Sequence, residues 1–176
     1  MARVAGLHRG DRPARRRPLP LTVYGAHLAA YYPWFLERWR ARQARALLGH
    51  IRHAAPGRHL LAGDFNAVAP GDQASLAGAP LWVRAQTRSQ LGRVPRRALR
   101  PLLEAGYVDC FREMRPREED GFTLPSSGPR VRLDYVFADA SLAGVLSGCR
   151  VVTEPAAVAA WASDHLPVMA EFGLEP

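Results

Sequence analysis

His59-Leu-Leu-Ala-Gly-Asp-Phe-Asn66 is the stretch on which the reading turns. His59–Ala62 reads as the start of a short strand, and a polar pair, Asp64 and Asn66, follows a glycine where that strand ends. A strand end is a rigid mount for a reacting group. Gly63 lets the chain turn sharply or approach a ligand closely. Asp64 is suited to binding a metal or positioning a water, and Asn66 offers both an amide donor and a carbonyl acceptor. An Asx turn that merely closes a strand accounts for the same letters.

Upstream, LTVYGAHL (21–28) is β-prone and mostly apolar, which predicts a buried strand. From Pro33 to about Ala54, apolar residues recur at Leu36, Trp39, Leu47 and Ile51. Arg38, Arg42, Arg45 and Arg52 take the other face, as in an amphipathic helix. The Pro/Gly stretch 69–80 predicts a loop. Residues 96–105 predict a helix restarted at Pro101 and terminated by Gly106. Further strands are expected over 121–124, 131–138, 148–153 and 166–172. Strand–helix–strand first and several short strands later predict an α/β fold with mainly antiparallel sheets.

Two further segments carry chemistry. Arg130-Val-Arg-Leu-Asp-Tyr-Val-Phe137 alternates, so a strand there places Arg132, Asp134 and Val136 on one face. Either Arg132 and Asp134 are neighbours on a solvated face, or Asp134 orients a histidine elsewhere. Ser163-Asp-His-Leu-Pro-Val168 sets a metal-capable carboxylate beside an ionisable imidazole at the head of a closing strand. His50 and His53 read as surface residues, Trp34 and Trp39 as packing residues, and Thr123 and Ser126 as turn residues ahead of site-lining ones.

Composition sets the outer bounds. The 176 residues suffice for one ordinary domain, and 48% hydrophobic with 23% charged residues is globular, not disordered. No apolar run approaches the roughly 20 residues of a membrane span. Arg-rich from the start, the N-terminus does not read as a secretory signal. Cys110 and Cys149 cannot make a disulfide framework, so a reduced, cytoplasmic setting is expected. All the basic residues are arginine. Residues 1–20 hold six of them against Asp11, net +5, which leaves +3 of the total +8 for the rest. Residues 1–18 are therefore expected to be a basic, flexible head. It is either a solvated segment or a phosphate-attracting arm.

GDFN, R-x-D-Y-x-F and S-D-H-x-P-V, in this order, resemble the endonuclease/exonuclease/phosphatase superfamily. The strand and helix before GDFN are similar to that superfamily as well. The resemblance covers a domain over 19–174. It implies a four-layer α/β/β/α sandwich, present here in part, with the N-terminal half missing. It also implies hydrolysis of a phosphoester assisted by Mg2+, or Mn2+, on a substrate that is a nucleic acid, a phospholipid or an inositol phosphate. Carried over by motif, Asp64 would orient or deprotonate the attacking water. Asn66 would bond a phosphoryl oxygen or hold Asp64. His165 would donate to the scissile phosphate, with Asp134 fixing its tautomer and charge. Asp164 would belong to the metal's shell, His27 would contact the phosphate or the leaving oxygen, and Arg132 is a weaker candidate for binding substrate.

The superfamily also uses an Asn on an opening strand and a metal-binding Glu on a later one. Residues 1–26 contain neither Asn nor Glu, and the first Glu is Glu37, inside the arginine-rich helix. Weak or absent activity is the expectation for the isolated chain. The alternative is a non-catalytic module that binds nucleic acid or phosphate.

Overall fold

Alternation along two strands builds the core. In β2 (His59–Asp64) Leu61 points to one face and Leu60 and Ala62 to the other. In β4 (Asp134–Ala138) Tyr135 and Phe137 take the first face, Val136 and Ala138 the second. Both faces are apolar, so the sheet has to be covered on both sides. On the first face Leu61, Tyr135 and Phe137 pack with Ala44, Leu48, Ile51 and Leu102 from two helices. On the second, Leu60 and Ala138 pack with Cys149, Val151, Val168 and Phe172 of another sheet. The layers run helix, sheet, sheet.

The computed structural model describes residues 20–30, 34–54, 57–89, 93–115, 121–154 and 161–173. Besides β2 and β4 these form β1 (Thr22–His27), α1 (Trp34–Ala54), α2 (Leu81–Ser89), α3 (Arg100–Glu104), β3 (Val108–Asp109), α4 (Cys110–Met114), α5 (Ala140–Ala143), β5 (Leu146–Val151) and β6 (Val168–Phe172). One sheet has the order β1-β2-β4-β3, with β1 parallel to β2 and the other pairs antiparallel. β5 and β6 form an antiparallel pair. The head expected over 1–18 lies outside the described residues. Among the described residues no helix is long and apolar enough to cross a membrane.

Several elements depart from the sequence expectations. β1 is an edge strand, not a buried one: it pairs with β2 alone among the described residues, and Val23 is 57% exposed. The buried row of α1 runs through Glu37, Ala41, Ala44, Leu48 and Ile51, leaving Trp39 on the exposed side. Ala44, Leu48 and Ile51 of that row pack in the core with Leu61 and Phe137, so the buried stripe is offset from Leu36, Trp39 and Leu47. α2 was not anticipated, because it buries only Val83 and Thr87 and so shows no wide apolar stripe. α3 begins at Arg100, with Pro101 in its first turn. It ends as anticipated at Gly106, which has φ +88°. Tyr107 N–H there bonds Leu102 O at 3.1 Å and Gly106 N–H bonds Leu103 O at 3.0 Å. The strand expected over 131–138 shortens to β4, and Val131 makes only isolated bridges to Ala74 and Leu124. The strand expected over 121–124 reduces to that Leu124 bridge.

Candidate functional site

Three strands present their polar ends side by side. In register, His27 of β1 faces Asp64 of β2, and Asp64 faces Asp134 of β4. Residues directly opposite share a face of the sheet, so the row His27–Asp64–Asp134 lies along one rim. Gly63 makes the approach of β1 and β2 possible. Its φ is +138°, and a Cβ there would sit 2.1 Å from Ala26 O. The close approach inferred from the sequence is thus to a neighbouring strand, not to a ligand. With the strands this near, His27 Nε2 lies 3.7 Å from an Asp64 carboxylate oxygen, on a side chain 73% exposed.

Asn66 decides between its two anticipated roles. Its backbone is left-handed at φ +48°, a conformation Asn adopts more readily than most residues. Its backbone N–H donates to Asp64 Oδ1 at 2.7 Å. Its side-chain amide donates to Asp64 Oδ2 at 2.8 Å and to Leu28 O at 3.1 Å. Both amide hydrogens are thereby used, so Asn66 clamps Asp64 and has no donor left for a phosphoryl oxygen.

His165 arrives from the segment before β6. Its Nδ1 lies 2.7 Å from Asp134 Oδ2, and since a carboxylate only accepts, Nδ1 carries the hydrogen and donates it. Nε2 has no hydrogen-bond partner among the described residues. Asp64, Asp134 and His165 together bring ligand-capable atoms within 4.8 Å of one another. Burial pushes the Asp64 carboxyl above its ordinary value. The Asn66 N–H works against that shift and the neighbouring Asp134 charge adds to it. Desolvation disfavours the His165 imidazolium, but the bond to Asp134 and the charges of Asp134, Asp64 and Asp164 outweigh it. Its pKa is raised.

Thr123, read from the sequence as a turn residue, ties these segments together. It is fully buried; its Oγ1 accepts from Leu133 N–H at 3.1 Å and from Asp134 N–H at 3.4 Å, while its carbonyl accepts from Leu166 N–H at 2.8 Å. Ser126 holds the same loop, donating through N–H to Asp164 O and through Oγ to Ser163 O, each at 2.7 Å. No local pattern marks Thr123, because the partners of its hydroxyl lie ten and eleven residues away.

Two candidates sit elsewhere. Arg132 does not face the site. At 2% exposure it bonds Asp72 through Nε at 2.8 Å and grips Asp109 with both terminal nitrogens. Its guanidinium lies between the rings of Phe111 and Tyr135, 5.2 and 4.4 Å from their centroids. The physical reason is that regular strand begins only at Asp134, so the alternation that put residues 132 and 134 on one face does not extend back to 132. Asp164 is exposed on the rim, outside the group formed by Asp64, Asp134 and His165, although its charge reaches His165. Glu37 lies apart from this group: it is buried, and its Oε1 accepts from the backbone N–H groups of Arg97 and Ala98.

The donor set fits a hard divalent cation. Two carboxylates face each other across β2 and β4, an arrangement that costs energy as a like-charge pair and that a cation would relieve. Asp64 and Asp134 supply the oxygen donors, and His165, whose Nδ1 is engaged by Asp134, has only Nε2 to offer.

Comparison with known proteins agrees with this geometry. The sequence matches the Endonuclease/Exonuclease/phosphatase family over residues 3–165. No curated protein matches it. An AP endonuclease from Archaeoglobus fulgidus shares its fold at TM-score 0.67 and 19% identity, over 88% of this chain and 62% of that one. The 3′ phosphatase NExo from Neisseria, bound to product DNA hairpin, aligns at TM-score 0.63 and 20% identity, over 86% of this chain and 61% of that one. The chain therefore spans about three fifths of the length of these structures.

Proposed function

The chain belongs to the Endonuclease/Exonuclease/phosphatase family, and from that premise we propose that its site hydrolyses a phosphoester bond of a nucleic acid with the help of a divalent cation. The observation that carries this reading is the clamped Asp64 carboxylate beside an Asp134–His165 pair whose Nε2 is unengaged among the described residues. The two fold neighbours, an AP endonuclease and a phosphatase bound to DNA, favour nucleic acid over a phospholipid or an inositol phosphate.

Each residue then has a physical task. Asp64 is raised in basicity by burial and fixed by Asn66, so it orients a water and accepts its proton; general-base help of this kind contributes ~10²–10⁴ in rate. Asp134 favours the charged form of His165, and in that form Nε2 donates to a phosphoryl oxygen as charge builds on it. Losing one such preplaced donor costs ~3 kcal/mol in the barrier. His27 stands at the solvent side of the same row, where it meets a phosphate or a leaving oxygen. Asp64 and Asp134 would hold Mg2+ or Mn2+, with Asp164 nearby, and the cation would neutralise charge on the phosphoryl group.

Turnover is expected to be slow, because Asp64 and Asp134 are the carboxylates gathered with His165 among the described residues. The test is phosphate or fragment release from DNA carrying a 3′ phosphate or an abasic site. It is run with Mg2+, with Mn2+ and with chelator, on the parent, Asp64→Asn and His165→Ala. Slow hydrolysis abolished by chelation and by either substitution supports the reading. Release indifferent to all three, or no release from the parent at high concentration, overturns it.

A further inference from the structure

A second concave feature, lined by different residues, lies beside α1. It is a cleft of about 900 Å³ between α1, the segment 93–100 and Pro70–Gly71. Arg38, Arg93, Arg97 and Arg100 line it, and all four are exposed. None of these four side chains makes an ion pair among the described residues. The nearby acids are already engaged. Glu37 is used by the Arg97 and Ala98 backbone N–H groups, and Asp72 is gripped by Arg112 and Arg132. The exposed arginines outnumber Glu37, the carboxylate that also lines the cleft, so the wall is net positive, and fixed positive charge in a concave wall focuses attraction on a polyanion.

The cleft also has direction. The loop after β2 carries Asn66 at the site and Pro70 at the cleft, so no more than about 14 Å of chain separates them. Measured along the axis of a duplex, that is the rise of about four nucleotides. At the far side, α2 ends at Ser89 on the cleft wall, and its exposed Arg84 and Arg88 continue the positive charge along a neighbouring groove of about 1100 Å³. The same helix exposes Leu81 (80%) and Trp82 (59%), apolar surface of the kind on which bases rest. A small phosphorylated metabolite would need one of these features; a strand uses all of them in sequence.

We propose that this arginine cleft seats the phosphate backbone of a nucleic-acid strand whose scissile phosphate lies at Asp64 and His165. The proposal rests on the hydrolytic reading only for what occupies that pocket; the cleft's own ligand is tested apart from chemistry. Binding of a fluorescent single-stranded oligodeoxynucleotide to the full chain is measured in chelator over a range of salt concentrations. The comparison is between the parent, Arg93→Ala/Arg97→Ala/Arg100→Ala and His165→Ala. The triple variant is expected to bind at least about tenfold more weakly, with a salt slope smaller by about 2, while His165→Ala, which removes a single phosphate contact, lowers the slope by no more than about 0.7. Arg38→Gln/Arg93→Gln gives a second variant should the triple one melt early, with a slope smaller by about 1.4. Hydrolysis of a small phosphodiester, too short to reach the cleft, is followed in parallel and should not distinguish the cleft variants from the parent. If that hydrolysis is missing but oligonucleotide binding depends on the arginines, the cleft assignment stands and the hydrolytic one falls. Parent-like affinity and salt slope in the folded arginine variants would overturn the cleft assignment alone. Equal affinity of the parent for inorganic polyphosphate of matched charge would overturn its assignment to nucleic acid.

Discussion

Replacing Arg132 by Met separates a structural role from a substrate-binding one. The guanidinium is 2% exposed, between Asp72 (2%) and Asp109 (8%), and makes three hydrogen bonds to their carboxylates. Methionine fills the aliphatic part of the space between Phe111 and Tyr135 and leaves two carboxylates without their cation. Breaking a buried pair from one side costs ~3–5 kcal/mol. Asp72 keeps Arg112 at 2.7 Å, so the uncompensated charge is mainly that of Asp109, and the lower end, about 3 kcal/mol, is expected. Against a total of ~5–15 kcal/mol for a native domain, that is a large fraction. Urea unfolding followed by tryptophan fluorescence is the assay. With a slope of about 2 kcal/mol per molar, the midpoint should fall by about 1.5 M. A shift below about 0.3 M, with weakened binding of nucleic acid, would refute the structural reading and return Arg132 to the substrate.

Gly63→Ala forces a methyl group onto Ala26 O and is expected to separate β1 from β2; loss of soluble protein or a destabilisation above about 2 kcal/mol by urea unfolding checks it. Asp134→Asn removes the main support of the His165 imidazolium, so the titration of His165 followed by NMR should move down from its raised position toward the ordinary value near 6.5; an unchanged midpoint would show that Asp134 does not hold the charge. In the parent, the stability lent by that ion pair is present below the ordinary histidine value and is lost as pH rises through the raised one. Asp139 supplies the opposite limb. Burial works against its charge, but Ser141, the His59 N–H and the α5 N–H groups hold its pKa below 3.8, so its contribution is present above that value and fades as pH falls through the lowered one. Asp139→Asn should therefore flatten part of the acid limb of the stability curve measured by thermal melting. Thr123→Val leaves the Leu133 and Asp134 N–H groups without their acceptor, and a destabilisation of about 1–3 kcal/mol with reduced hydrolysis is expected.

Elements with one strong local cause were legible. Gly106 ended α3 because its positive φ closes the helix with two backbone bonds, and that cause is local. β2 was legible as an apolar run before a glycine. What was lost depended on distant partners. LTVYGAHL has the letters of a buried strand, yet its burial is decided by whether another strand covers its outer edge. α2 shows two buried positions in nine residues, too few for an amphipathic signal, and the bridge from Ala74 to Val131 that secures the preceding loop spans more than fifty residues.

The segment 132–135 explains why the site was more legible as a set of motifs than residue by residue. Arg132 goes to Asp72 and Asp109 in the interior, Asp134 to His165 at the rim, and Tyr135 to the core, where its hydroxyl accepts from Ala69 N–H and lies within hydrogen-bond distance of Ala67 O. A strand pattern treats Arg132 and Asp134 as equivalent positions, and the chain uses them for unrelated tasks because the regular strand starts between them. Burial of an arginine at that point requires two acids, Asp72 and Asp109, from segments 60 and 23 residues away. Neither acid stands in a recognisable motif, so the network was invisible while the motif around it was not. The network nonetheless serves the site. It fixes the backbone one residue before Leu133, whose carbonyl receives Phe65 N–H at 2.9 Å, and so ties the Asp134 segment to the Asp64–Asn66 turn. Loosening Arg132 should therefore reach the rim as misplacement of Asp134 relative to Asp64, which makes the His165 titration in Arg132→Met a sensitive reporter of that connection.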